Sequence, residues 1–423
     1  MPGSVPPSST AAVDDTAQSP VPASGPAHAL RVTLLMAGSC LPILGAVLIA
    51  PVLPKMQDHF ASVPGAKALV PLALTVPALA LALLAPFAGV IVDRLGRKRL
   101  LVVATLLYAV FGTAPLWLSS LGAIIASRAL VGVAEAAIMT CCTTLIGDYY
   151  SGQRRVKYLA LQTMCASASA TVFFAVGGAV GSAGWRVPFF VYAVSLVLAP
   201  LMATALPSPA ARAATVRARR PFPWRQLSGI CALTSFGAMV FYTVPVEMAY
   251  LLDDLGVESS GVIGLATAVA SAATVCGAVL FARLKRAPDP MLPGVLAVCA
   301  VGFGVMFLAG NAGVLVVGAV VNCVGTGVLL PALLTSAMSR LAFEDRGRGT
   351  GLWMAAFFGG EFVCPLVLLG GEAVVGSLAG AVGVLGVCSG LVGFWLLVRR
   401  GWSRPRGGSR TFDTAPRPFR ELQ

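Results

Sequence analysis

The residues best placed to do chemistry are charged side chains set inside apolar stretches. SRALVGVAEAA, residues 127–137, carries Arg128 and Glu135. In a helix that spacing puts both on one face, about 10.5 Å apart along the axis. Glu247 lies beside Pro245 in YTVPVEMAYLL, and Glu361 lies deep in FFGGEFVCPL. Ionisable groups in hydrocarbon are costly, so they face a wet cavity or a partner. The chemistry open to such carboxyls is reversible proton binding. Plainer alternatives stand beside this one. Arg128 could snorkel to the nearer surface, and Glu361 could be a neutral carboxyl hydrogen-bonded between helices. Gln162, Tyr242, Asn322 and Thr326 are the other polar side chains at depth, where interhelical hydrogen bonding competes with ligand contact.

Other chemistries find no residues to carry them. The sequence contains no G-x-x-x-x-G-K-S/T, so a single-chain ATP-driven pump is excluded. No Ser/His/Asp set is present for hydrolysis. The ten cysteines all fall in apolar segments, none in Cys-x-x-Cys or Cys/His spacing, and His28 and His59 stand apart from them. They read as soft packing residues. An enzyme is not expected, nor a metal or any other cofactor.

The elements that position these residues are membrane helices. The 423-residue chain is 57% hydrophobic and 11% charged, against about one-quarter charged for soluble domains. Apolar runs long enough to span a bilayer recur at 34–54, 69–92, 100–118, 122–146, 159–181 and 187–206, then at 228–251, 261–282, 291–309, 313–337, 351–370 and 377–398. This predicts an all-α membrane protein of twelve transmembrane helices. The divisions are a disordered tail over 1–30, a six-helix bundle over 31–206, and a basic linker over 207–227. A second bundle follows over 228–399, then a basic tail over 400–423.

The net charge of +13 is distributed by topology. With both termini cytoplasmic, every Lys and Arg except Lys55, Lys67, Arg186 and Arg128 falls on the cytoplasmic side. The excess therefore signals orientation and attraction to anionic lipid. It does not signal nucleic acid, since no basic patch with interleaved aromatics occurs. Internal repetition supports two halves: AVGGAVG at 175–181 echoes LLGGEAV at 368–374. DRLGRKR at 93–99 has a worn copy in ARLKRAP at 282–288, which lacks the acid.

Between the second and third runs stands GVIVDRLGRKR, residues 89–99. With R-x-x-x-G-x-x-x-A (Arg128, Gly132, Ala136) and GWRVPFF at 184–190, it resembles the major facilitator superfamily, over about Arg31 to Arg400. The resemblance implies two pseudo-symmetric six-helix bundles working by alternating access. It implies a cytoplasmic gate formed by Gly89, Asp93, Arg94, Gly96, Arg97 and Asp148. There Gly89 would allow close helix approach and Gly96 a positive φ. Asp148 would pair with Arg97, or remain an ordinary solvated carboxylate, and Asp93 would face the N-terminus of helix 11.

Arg128, Glu135, Glu247 and Glu361 are the proton-coupling candidates, and Tyr242, Asn322 and Thr326 the substrate-cavity candidates. A protein of this kind is expected to reside in the plasma or inner membrane and to function as a monomer, with protons and a small molecule as its partners. Proton-coupled efflux is the first expectation and proton-coupled uptake the transport alternative. A non-transporting membrane sensor or assembly partner is the alternative of another class. One departure weakens an antiporter reading: FFAVGG at 173–178 keeps the Gly-Gly of the helix 5 motif but has Phe173-Phe174 for its Gly-Pro.

Overall fold

A computed structural model describes residues 25–208, 222–284, 287–342 and 345–403. It contains twelve helices long and apolar enough to cross a membrane. The first six are α1 (Pro26–His59), α2 (Ala66–Leu84), α3 (Arg97–Leu116), α4 (Leu121–Tyr149), α5 (Gly152–Gly181) and α6 (Val187–Ala205). The second six are α7 (Trp224–Asp254), α8 (Ser260–Leu284), α9 (Pro288–Phe307), α10 (Ala312–Ser339), α11 (Arg346–Val375) and α12 (Leu378–Arg399). No strand occurs among the described residues. Most of the proposed tail, the linker from 209 to 221 and the end from 404 lie outside the described residues.

Three boundaries differ from the hydropathy reading. Helix α1 begins at Pro26, because proline serves well as a first helical residue. Helix α7 starts at Trp224, inside the expected linker, directly after Pro223. The second apolar run is not one helix. It stops at Leu84, turns through 85–87 and restarts as a short helix, Ala88–Leu95. Pro86 explains the interruption, since a proline cannot donate to the helical ladder.

The first bundle packs α4 against α1, α2 and α3, with α5 on α1 and α6 on α3. The second packs α10 against α7, α8 and α9, with α11 on α7 and α12 on α9. Glycines let these helices approach: a Cβ at Gly132 of α4 would stand 2.5 Å from the Pro77 backbone of α2. The bundles meet along α5 with α8 and α2 with α11.

The two ends of the molecule differ in charge and in closure. One end carries Arg97, Arg155, Arg283, Arg340 and Arg348. The other carries Asp58, Asp253, Asp254, Glu258 and Glu372. At the acidic end the later part of α1 packs on α7 and α8, joining the bundles. At the basic end α4 and α5 have no extended contact with α10 or α11 among the described residues. The central space therefore opens toward the basic end.

Candidate functional site

The site is organised around a break in α1. Its helical ladder ends with the Leu48 N–H on the Leu44 carbonyl, and a 3-10 turn at Ala50–Val52 follows. Past Leu48 the N–H groups of Ile49 and Ala50, which would reach Gly45 O and Ala46 O in a continued helix, make no such bonds, and Pro51 has no N–H to resume the ladder. The carbonyls of Gly45 and Ala46 are thus left for side chains, at the negative end of a helix dipole.

Arg128 takes the first of them. It is fully buried, with Nη2 donating to Gly45 O at 2.6 Å, Nη1 to the Tyr192 hydroxyl at 2.8 Å and Nε to Ala73 O at 3.2 Å. One guanidinium thereby ties α4 to α1, α2 and α6, a fork that a lysine could not reproduce. Snorkelling is excluded, because the side chain ends in carbonyls rather than at a surface. Tyr242 of α7 takes the second carbonyl, donating to Ala46 O at 2.8 Å. That bond crosses between the bundles.

Glu135 is 1% exposed and stands beside the same break. A Cβ at Gly45 would collide with Glu135 Oε1, so that glycine makes room for the carboxyl. Oε1 has no hydrogen-bond partner among the described residues. Tyr108 lies alongside, donating to Leu41 O at 2.6 Å with its ring 5.2 Å from Tyr192. From the other bundle Glu361 comes near enough for the two carboxyls to act on one another electrostatically, and both act on Tyr242. Arg128 is not hydrogen-bonded to Glu135 and reaches it only through its field.

The remaining candidates are placed elsewhere. Glu247, 4% exposed, faces the acidic end, where the charge of Glu372 reaches it. Asn322 and Thr326 are fully buried within the second bundle. Asn322 packs against Gly302 of α9, and its amide has no partner among the described residues. The Thr326 hydroxyl returns to Cys323 O of its own helix. The structure therefore brings Arg128, Glu135, Tyr242 and Glu361 together, and holds Asn322, Thr326 and Glu247 apart from them.

At the basic end Arg97 pairs with Asp148 and with Asp93, the latter at 2.7 Å. Gly96 adopts a φ of 84°, which makes the tight turn ahead of α3. Arg94 belongs to the last turn of the short helix. Asp93 is 60% exposed at its side chain and bonds its own bundle, not the start of α11. A Cβ at Gly89 would meet nothing within 4 Å, so no helix approaches there. The two bundles touch instead where α2 ends, since a Cβ at Gly351 of α11 would lie 3.1 Å from Ala85 O.

Sequence reasoning missed Tyr108, Tyr192, Gly45 and the carbonyl of Ala46. The hydroxyls at membrane depth were a usable signal, whereas the carbonyls become available only through the local break in α1.

The profile of the Major Facilitator Superfamily matches residues 35–246 and 228–422. The chain belongs to this superfamily. Its twelve long apolar helices make it a multi-pass membrane protein. Locally it is similar to Multidrug resistance protein 1 of Bacillus subtilis (strain 168), at 27% identity over 177 residues, covering 41% of this chain and 44% of that protein. It is also similar to Protein spinster homolog 3 of Danio rerio, at 30% over 107 residues, 24% of this chain and 22% of that one. The chain thus matches less than half the length of these relatives. Among solved structures, a D-xylose-proton symporter overlays with TM-score 0.72 at 14% identity, over 87% of this chain and 96% of that one. A bacterial homolog of the human lysosomal transporter Spinster, inward-facing and occupied, overlays with TM-score 0.67 at 16% identity, over 89% and 96%. Such identities establish a shared fold.

Proposed function

We propose that this chain is a carrier of small molecules working by alternating access, that it is coupled to protons, and that Glu135 and Glu361 are the groups that bind them. The observation supporting this is the pair itself: two buried carboxyls, one from each bundle, beside a helix break and without an ion-pair partner among the described residues. A carboxyl so placed changes its charge when the space around it turns from one side to the other, and that links protons to bundle motion. Each elementary charge moved gains about 2.3 kcal/mol per 100 mV of membrane potential, enough to concentrate a solute without ATP.

The basic end is the cytoplasmic one in this reading, by the asymmetry of Lys and Arg. The conformation is then inward-facing. Two directions have support. Efflux is favoured by the local likeness to a protein named for multidrug resistance. Uptake by symport is favoured by the overlay on a proton symporter, which covers 87% of the chain and so speaks for more of it.

Purified protein in liposomes, with an imposed pH gradient and a solute panel, tests the reading. Glu135→Gln and Glu361→Gln should each abolish gradient-driven accumulation while leaving solute exchange at equal pH. Normal pH dependence in both variants would overturn the assignment. The sign of accumulation, read in right-side-out and everted vesicles, decides the direction.

A further inference from the structure

A groove of about 540 Å³ lies in the crevice between α9 and α12, away from the central space. Neither helix has an extended contact with the first bundle among the described residues, so the open side of this crevice faces the bilayer. From α9 the groove is lined by Val301, Gly304 and Phe307, and from α12 by Val384, Val387 and Gly390. No charged or polar side chain lines it.

Glycines create the space. A Cβ at Gly383 would lie 3.0 Å from the Phe307 ring, and one at Gly386 would lie 2.8 Å from Phe303 Cβ. The two helices therefore approach closely there. A Cβ at Gly304, by contrast, would meet nothing within 4 Å. The floor of the groove is thus backbone, and the side chains that glycine lacks leave the space above it open. Along the rim stand Val301, Phe307, Val384 and Val387, between 47% and 63% exposed.

Length and width select the occupant. The groove runs from Gly380, near the acidic end of α12, to Gly390 at its middle. Ten helical residues rise about 15 Å, half of the roughly 30 Å hydrocarbon core of a bilayer. Its depth is that of one leaflet, the outer one when the basic end is cytoplasmic. A helix from a second copy is a poor match: a 15 Å piece about 10 Å across takes up roughly 1,200 Å³, more than twice the groove. Left empty, the groove would deprive Phe307 and the rim valines of dispersion contacts.

We propose that the crevice between α9 and α12 is a phospholipid site that holds one acyl chain of the outer leaflet along its length. The chain is retained by apolar contact with Phe307, the rim valines and the glycine floor. This lipid is a packed part of the second bundle, distinct from the exchanging lipid around it.

The full-length protein is reconstituted in nanodiscs of phosphatidylethanolamine and phosphatidylglycerol and then moved into detergent micelles. Native mass spectrometry counts the phospholipids that stay bound. Gly304→Leu fills the groove from its floor, where a Cβ meets no obstacle, and leucine favours a helix over glycine. Gly294→Leu is the control: a Cβ there also meets nothing within 4 Å, but the residue lies toward the basic end of α9, outside the groove. The parent protein and the control should each retain one phospholipid, and Gly304→Leu should retain about tenfold less. No retained phospholipid in the parent, equal retention in all three proteins, or equal loss in both variants overturns the proposal. So does a parent dimer that Gly304→Leu converts to a monomer, because the groove would then be an interface between copies.

Discussion

At the acidic end the bundles meet backbone to backbone: a Cβ at Gly178 of α5 would lie 2.5 Å from Ser260 O and 2.7 Å from Gly264 Cα on α8. At the basic end Arg97 bonds within one bundle, to Asp93 and Asp148, and α4 and α5 have no extended contact with α10 or α11 among the described residues. The acidic end is thus sealed mainly by shape, with the exposed Lys67–Glu372 pair beside it, while the Arg97 pairs of the basic end stay within one bundle. Shape gives a close contact that a single methyl group disrupts, whereas charge gives a contact that can be made and released at modest cost. The repeat reflects the same asymmetry. Of the Gly-Gly pair of α5, Gly178 meets α8 of the other bundle and Gly177 meets Leu48 of α1, while in α11 Gly371 turns to Ala381 of α12 and a Cβ at Gly370 would meet nothing within 4 Å.

The sharpest way to break this contrast is Gly178→Val. Its side chain has no room against α8, and overpacking of this kind costs roughly 1–3 kcal/mol. Spin-label distances across the acidic end should lengthen and transport should fall by about tenfold or more; unchanged distances would show that this seal is not structural. Tyr242→Phe removes the hydroxyl that crosses to Ala46 O. A net hydrogen bond is worth about 1 kcal/mol, so the closed acidic end should lose population by about 5-fold. The same distance measurement checks this.

Asp93→Asn probes the opposite end. Asp93 already bonds within its own bundle in this state, so the open basic end should keep its distances. The outward-open population should shrink by about 2- to 5-fold through loss of a carboxylate at the start of α11, with solute affinity kept. Accessibility of cysteine probes on the basic side reads that change, and identical labelling in both proteins would count against it. The smallest effect belongs to Lys67→Gln, which removes the 2.7 Å pair with Glu372 that joins α2 to α11 at the acidic end. Lys67 is 61% exposed at its side chain, so the change should be about 0.2–1 kcal/mol and should vanish in high salt.

Much of this architecture was legible beforehand. Twelve spans, the Arg97 and Asp148 pair, the turn at Gly96 and the placing of Arg128 and Glu135 on one helix face all follow from hydropathy, motif or residue spacing. Less of the site was. Asn322 and Thr326 were expected to face the cavity from α10, yet both are buried inside the second bundle. Tyr242 was expected to touch solute, and it holds a backbone carbonyl of the other bundle.

The division has a physical basis. Hydropathy, net charge and turn chemistry are properties of short stretches of chain, so they can be read without knowing what packs on them. The rotation of each helix cannot be read that way, because a membrane helix is apolar toward both lipid and protein and carries no amphipathic stripe to mark its inner face. Packing alone set those rotations. It carried Arg128 to the freed carbonyl of Gly45, brought Tyr242 to the carbonyl of Ala46, and turned Asn322 against Gly302.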